Sequence, residues 1–420
     1  CRKHRWRQAE MMVSENGESP RRPSPTMPAM DTAPTIDDDA RYLALCTRDA
    51  RFDGRFFTGV TSTGIYCRPV CAVRTPRRAN CRFFDHAAQA ERAGFRPCLR
   101  CRPELAPQAR TWSAQDAAEL LVQHANRLLD DPSQWVGDDG PTVQRLAARL
   151  GVSDRHLRRV FEARMGVSPL QVLHTRRLLA AKQLLADTAL PVTAVAQASG
   201  FASLRRFNAA FRDHYGLSPT ALRRRGGAAS SRAVALGWRP PLDVRALLRF
   251  LADRLLPGVD AIDLDQLRYW RTLRLATSGA EQRGWIGLHF EPERHRVWLY
   301  ASDALLPALP ALIWRVRALC DLDADPLAID AVLGPDFPGG AGVRVPGALD
   351  GFELAVRAVL GQQVTVAAAR TLAGRLVTRF GEPIATPDPT LNRLFPTPAA
   401  LAEAHPDGMG QLGIVRQRQA

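Results

Sequence analysis

Four cysteines in two close pairs are the residues of this chain best placed to do chemistry. Cys67 and Cys71 stand in "GIYCRPVC", and Cys98 and Cys101 in "FRPCLRC". C-x3-C and C-x2-C are ligand spacings, and four thiolates around one Zn²⁺ make a closed, net-negative tetrahedral site. Such a site normally only holds a fold together. Each sulfur in it nevertheless stays a thiolate and so remains nucleophilic. Arg68, Arg74, Arg77, Arg78, Arg96, Arg100 and Arg102 crowd the same stretch. These cations could draw a phosphate backbone up to the sulfurs, where a thiolate can attack only an alkyl group carried on it.

The flanking residues say how the cysteines are delivered. "RFFTGVTSTGIYC" alternates β-branched and aromatic residues with glycine turns, which predicts a strand or hairpin ending at Cys67. "RPVC" turns back with Cys71. Pro97 and Pro103 bracket a short knuckle bearing Cys98 and Cys101. Cys46 and Cys81 have no partner at ligand spacing and read as small buried hydrophobes.

The chain has 420 residues, enough for two to four domains, and a formal net charge of +15. That charge is concentrated: residues 41–110 hold 14 Lys+Arg against 5 Asp+Glu, and residues 141–225 hold 15 against 4. Two adjacent basic segments point to a polyanion, most simply nucleic acid. Eight cysteines are too few for a disulfide scaffold, and their pairing suits a reducing compartment. No secretory signal and no apolar run of membrane-spanning length occurs, so a soluble cytoplasmic protein without a membrane partner is expected. The chain begins at Cys1, with Met11, Met12 and Met27 as candidate starts, and its first 40 residues have a disordered composition.

"TVQRLAARLGVSDRHLRRVFEARMGVSP" and "PVTAVAQASGFASLRRFNAAFRDHYGLSP" form an internal repeat, with Phe161 and Phe211, Gly166 and Gly216, and Pro169 and Pro219 each fifty residues apart. Each copy reads as a short helix, a glycine turn at Gly151 or Gly200, and a second helix with arginines on its open face. That is the helix-turn-helix pattern, whose second helix enters the major groove. Recognition helices are expected to start near Ser153 and Ser203. Arg155, His156, Arg158 and Arg159 are candidate DNA contacts in the first, and Arg205, Arg206, Asn208 and Arg212 in the second. After the linker composition of "RRRGGAASS", a helix and then strands are expected, with two strands turning at Glu291–Glu293 and a further helix following. From Val343 the chain reads as two helices interrupted at "GQQV".

Residues 41–106 resemble the N-terminal domain of the Ada adaptive-response family, on "GIYCRPVC" and "GFRPCLRC". The resemblance implies that Cys67 accepts a methyl group from a DNA methylphosphotriester, that Cys71, Cys98 and Cys101 are its fellow zinc ligands, and that Thr63, Arg74 and Arg96 contact the DNA backbone. Residues 113–225 resemble the AraC-type DNA-binding domain. Residues 234–420 resemble the AlkA 3-methyladenine glycosylases on "GWRPPLD", "YWRTLRL" and "FELAVRAVLGQQVTVAAARTLAGRLV". There Gln362 falls near the base pocket, and Gln363 stands where some members carry an apolar wedge. No hairpin followed by a catalytic aspartate appears before Ala420, so a truncated glycosylase domain without that aspartate is expected.

The fold class expected is therefore multidomain α+β. A disordered segment (1–40) precedes a small zinc-bound α+β domain (41–110) and an all-α double helix-turn-helix domain (111–225). A linker (226–232), an α+β AlkA N-terminal-like domain (233–335) and the start of an all-α helix-hairpin-helix glycosylase domain (336–420) follow. The function these resemblances imply is alkylation repair joined to methylation-responsive transcriptional regulation. Double-stranded DNA and RNA polymerase are the expected partners, zinc the cofactor, and a monomer the working form. Two other readings stay open: a transcription factor whose zinc is purely structural, and a glycosylase whose front modules only tether DNA.

Overall fold

Residues 37–107, 117–135, 142–225, 233–277 and 280–415 are described by the computed structural model. The expectations of disorder over 1–36 and of a linker at 226–232 lie outside these residues. Residues 38–40, expected in the disordered segment, instead open helix α1 (Asp38–Thr47), because the Asp37 carboxylate caps it by accepting from the Ala40 amide.

The cysteine-bearing module is a four-stranded sheet with two helices. Its strands are β1 (Phe57–Val60), β2 (Ile65–Cys67), β3 (Cys81–Phe84) and β4 (Arg96–Pro97), in the order β3-β1-β2-β4, and α2 (Ala87–Arg92) packs on it. Gly64, at φ +64°, turns the β1–β2 hairpin. The apolar core is small: its main cluster is Phe57, Tyr66, Ala90 and Phe95, with Ala44, Leu45, Phe56 and Cys81 buried outside it. A core of that size cannot stabilise a domain alone, which leaves much of the work to the metal site and to docking on the next module.

That next module is helical throughout: α3 (Ala117–Asp130), α4 (Val143–Arg149), α5 (Asp154–Met165), α6 (Pro169–Asp187), α7 (Val192–Ala198), α8 (Leu204–Tyr215) and α9 (Pro219–Arg225). The repeat is visible in its punctuation. Ser153 and Ser203 cap α5 and α8, while Gly166 and Gly216 end them in the left-handed region. Leu157 and Phe161 in one copy, and Phe207 and Phe211 in the other, are fully buried at helical spacing.

The third module opens with a strand rather than the expected helix. β5 (Ala233–Gly237) pairs antiparallel with β9 (Arg296–Ala301), completing a sheet of order β5-β9-β8-β7-β6 with β6 (Asp260–Asp263), β7 (Arg268–Thr277) and β8 (Ala280–Glu291). All five β5 residues are buried, so the segment lacks the alternation that marks a half-exposed strand. Gln183 of α6 donates to the Ala235 carbonyl at 3.1 Å, which shows how the second module covers this edge. Helices α10 (Val244–Ala252), α11 (Leu309–Leu319) and α12 (Pro326–Leu333) complete the layer. Then α13 (Gly351–Leu360) and α14 (Val366–Phe380) flank the "GQQV" turn, as expected. Arg239, fully buried, joins the third module to the first by donating to the carbonyls of Asp53 and Asp323, both at 2.8 Å, and of Pro107 at 3.1 Å. Among the described residues no helix is long and apolar enough to cross a membrane.

Candidate metal centre

Sheet register brings the two cysteine pairs together. β2 and β4 run parallel with Tyr66 opposite Pro97, so Cys67 and Cys98 leave the sheet side by side. The Cys98 amide donates to the Tyr66 carbonyl at 3.0 Å, and the Cys71 amide to the Arg68 carbonyl at 3.1 Å, closing both knuckles. The sulfurs of Cys67, Cys71, Cys98 and Cys101 all lie within 4.8 Å of one another, three of the cysteines being buried and Cys101 half-buried. A zinc–sulfur bond of about 2.3 Å implies sulfurs about 3.8 Å apart at tetrahedral corners, so the set fits zinc.

The thiols compete for protons. Hydrogen bonding with Cys101, then with Cys67 and Cys71, pulls Cys98 far below the ordinary thiol range. Hydrogen bonding with Cys67, Cys71 and Cys98 pushes Cys101 up. Four thiolates this close coexist only around a cation, which is the requirement a divalent metal meets.

The sulfurs are not equivalent. The Arg68 amide donates to Cys101 Sγ and the Arg100 amide to Cys98 Sγ, both at 3.3 Å. Among the described residues no backbone amide is hydrogen-bonded to the sulfur of Cys67 or Cys71. A donor on a thiolate stabilises its charge and dulls its attack, so Cys67 and Cys71 are the less quenched pair.

The arginines divide sharply. Arg68, expected among the cations that draw in a phosphate, is buried: its guanidinium pairs with Asp53 and donates to the Cys101 carbonyl at 3.0 Å. It braces the knuckle and is not available to DNA. Arg102 is held by Glu104 at 2.9 Å and by Asp187, and Arg78 by Asp39 at 3.2 Å. Arg74, Arg77, Arg96 and Arg100 are exposed, as is Thr63 in the β1–β2 turn. Cys81 is buried as expected, but Cys46 is exposed, since it falls on the outer face of α1.

On the helical module Arg155, His156, Arg158 and Arg159 of α5 are exposed, as are Arg205, Arg206 and Arg212 of α8, while Asn208 is half-buried. His156 Nδ1 lies 3.2 Å from the Arg159 guanidinium. Gln362 and Gln363 are both exposed, and Gln363 adopts φ +56°, a backbone conformation unfavourable for a residue with a Cβ.

Residues that the sequence reading passed over lock the metal module to the helices. Glu91 of α2 accepts from the Tyr66 hydroxyl at 2.9 Å and from the Thr175 hydroxyl of α6. His214 Nε2 of α8 lies 2.8 Å from the same carboxylate, a contact too bent to be a hydrogen bond. Lys182 of α6, 2 % exposed, donates to the Cys98 carbonyl at 3.2 Å and pairs with Glu104. A signal for the second lock was present, since Lys182 is one of two lysines in a chain with 57 basic residues. Glu91→Ala is expected to cost about 2–4 kcal/mol by stranding two buried hydroxyls. A fall in the urea midpoint, partly restored by Glu91→Gln, would show it; an unchanged midpoint would dismiss the lock.

Fold and site together define a multidomain protein with a metal–thiolate module, paired helix-turn-helix units and a mixed sheet-and-helix layer. Residues 40–104 match the metal binding domain of Ada, residues 146–225 a helix-turn-helix domain, and residues 233–350 the AlkA N-terminal domain. The chain is 39% identical over 398 residues to the probable bifunctional transcriptional activator/DNA repair enzyme AlkA of Mycobacterium tuberculosis, covering 91% of this chain and 77% of that protein. It belongs to that family of bifunctional transcriptional activator/DNA repair enzymes. The Escherichia coli bifunctional transcriptional activator/DNA repair enzyme Ada is 38% identical over 152 residues, covering 36% of this chain and 40% of that protein. The Escherichia coli DNA-3-methyladenine glycosylase 2 is 33% identical over 183 residues, covering 44% of this chain and 62% of that protein.

Proposed function

We propose that Cys67 takes a methyl group from a methylphosphotriester in double-stranded DNA and that the paired helix-turn-helix units read this event out as a change in DNA affinity. The observation that carries the reading is the inequality of the four sulfurs, which leaves Cys67 and Cys71 without an amide donor; of these two, Cys67 holds the acceptor's place in the Ada-type motif. Zinc bound in the site keeps the sulfurs as thiolates at neutral pH. Thr63, Arg74 and Arg96 are proposed to hold the neighbouring backbone. Cys67 Sγ then attacks the methyl carbon: a sulfur–carbon bond forms, the carbon–oxygen bond breaks, and the electron pair stays on the phosphate oxygen. The thioether formed does not reverse, so each protein acts once.

Arg155, His156, Arg158 and Arg159, with Arg205, Arg206, Asn208 and Arg212, are the proposed groove and backbone contacts of the two units. The reading carries with it RNA polymerase as the partner through which the units act, a cytoplasmic location and a monomeric working form. The AlkA-like part is proposed to act on alkylated bases, with Gln362 and Gln363 at the turn that meets the flipped base. Domain limits of 37–110, 111–225, 233–350 and 351–420 suit this division of labour, the first taking in all of α1 and the third following the AlkA N-terminal match. The test is intact-protein and peptide mass spectrometry after exposure to methylated duplex DNA. One methyl replacing the Cys67 thiol proton is expected; methylation elsewhere, or none, would overturn the assignment.

A further inference from the structure

The β1–β2 register sets Thr58 opposite Cys67, so their side chains share one face of the sheet. On that face lies a cavity of about 10 Å³, bounded by Leu45, Thr58, Val60, Val73, Thr75 and Pro76 and touching both Cys67 and Cys71. Its volume is about that of a single small group, water or methyl. Most of this wall is hydrocarbon. Thr58 is fully buried, and among the described residues its hydroxyl has no hydrogen-bond partner. A void lined this way suits an apolar occupant better than a water, which needs two or more polar partners.

We propose that this cavity is the seat of the methyl group that Cys67 acquires, and that its walls set the size of alkyl group the site accepts. The inference rests on the assignment of Cys67 as acceptor. Cys67 is only 6% exposed, so few directions remain from which a carbon can reach its sulfur. The other three sulfurs crowd it within 4.8 Å, and the cavity adjoins the sulfur beside them. Transfer turns a thiolate into a neutral thioether, and apolar walls favour the neutral product over the anion. Burying the methyl between Leu45, Val60 and Val73 adds a hydrophobic gain. An ethyl group needs one methylene more than the cavity holds, and overpacking penalises it.

The experiment uses the full zinc-loaded chain and a duplex carrying one phosphotriester with a ¹³C-labelled methyl. After transfer, the labelled methyl is expected to show nuclear Overhauser contacts to the side-chain methyls of Leu45, Val60 and Val73. Label on Cys67 without these contacts would overturn the pocket while leaving the acceptor assignment intact. Absence of label from Cys67 would instead bring down the acceptor reading and this inference with it. Val73→Leu, which fills the space, should slow methyl transfer roughly tenfold to hundredfold with zinc content unchanged. Val73→Ala should raise ethyl relative to methyl transfer by a similar factor. Thr58→Val replaces an unpartnered hydroxyl by a methyl of the same shape, so the melting temperature should hold or rise. A clear loss of stability in Thr58→Val would reveal a water bound by that hydroxyl, and the methyl seat would be rejected.

Discussion

Cys98→Ala is expected to remove zinc from the chain and unfold the module from α1 to the second knuckle. A structural zinc contributes about 10–16 kcal/mol in small domains, and one missing ligand opens the closed site to water. The module's own apolar packing is slight, with four buried residues in its main apolar cluster. Cys98 also anchors the knuckle twice through its backbone, to Tyr66 and to Lys182. The measurement is zinc content per chain together with limited proteolysis, and new cleavage between residues 50 and 105 should accompany metal loss. Cys46→Ser is the control, because Cys46 is exposed and away from the cluster. A Cys98→Ala protein that keeps one zinc and resists the protease would remove Cys98 from the ligand set.

Methylation of Cys67 is expected to tighten DNA binding, more strongly as salt is lowered. The transfer removes one negative charge from a site flanked by exposed Arg74, Arg96 and Arg100, and so lessens its repulsion of the backbone. At an effective dielectric of about 20 and about 6 Å, one unit charge is worth about 3 kcal/mol against one phosphate before screening. A Debye length of about 8 Å at physiological salt cuts this substantially. A gain of roughly tenfold to hundredfold at low salt follows, since about 1.4 kcal/mol is a factor of ten. Titration of methylated and unmethylated protein on its operator across a salt series measures it. Equal affinities at low salt would leave Cys67 a repair residue without a regulatory role. The locks through Glu91 and Lys182 give the charge change a firm platform, because they fix the metal module against α6 and α8.

The metal site was legible because its chemistry is local. Ligand spacing of three and two residues, glycine at the hairpin turn and proline at the knuckles are statements about short stretches of chain. The helix-turn-helix repeat was legible for the same reason: serine caps, glycine ends and phenylalanines at helical spacing recur fifty residues apart. β5 was not, because a strand covered on both sides loses the two-residue period and resembles any short apolar run.

What the sequence determined by itself is therefore the inventory: four thiolates for one metal, two basic helix-turn-helix units, and an AlkA-like layer with its helical continuation. Only the tertiary structure decided how the charges are used. Arg68 looks from the sequence like any other cation near the metal, yet a partner fifteen residues away, Asp53, buries it as a brace. Among the described residues Arg74 and Arg96 have no such partner, and both stay at the surface. Glu91 and Lys182 acquire their roles from contacts 78 to 84 residues distant in the chain. The physical reason is that pairing and burial of a charge depend on which elements pack together. Desolvation makes an unpaired charge costly inside and cheap outside, so the same residue type becomes a brace or a DNA contact according to its neighbours.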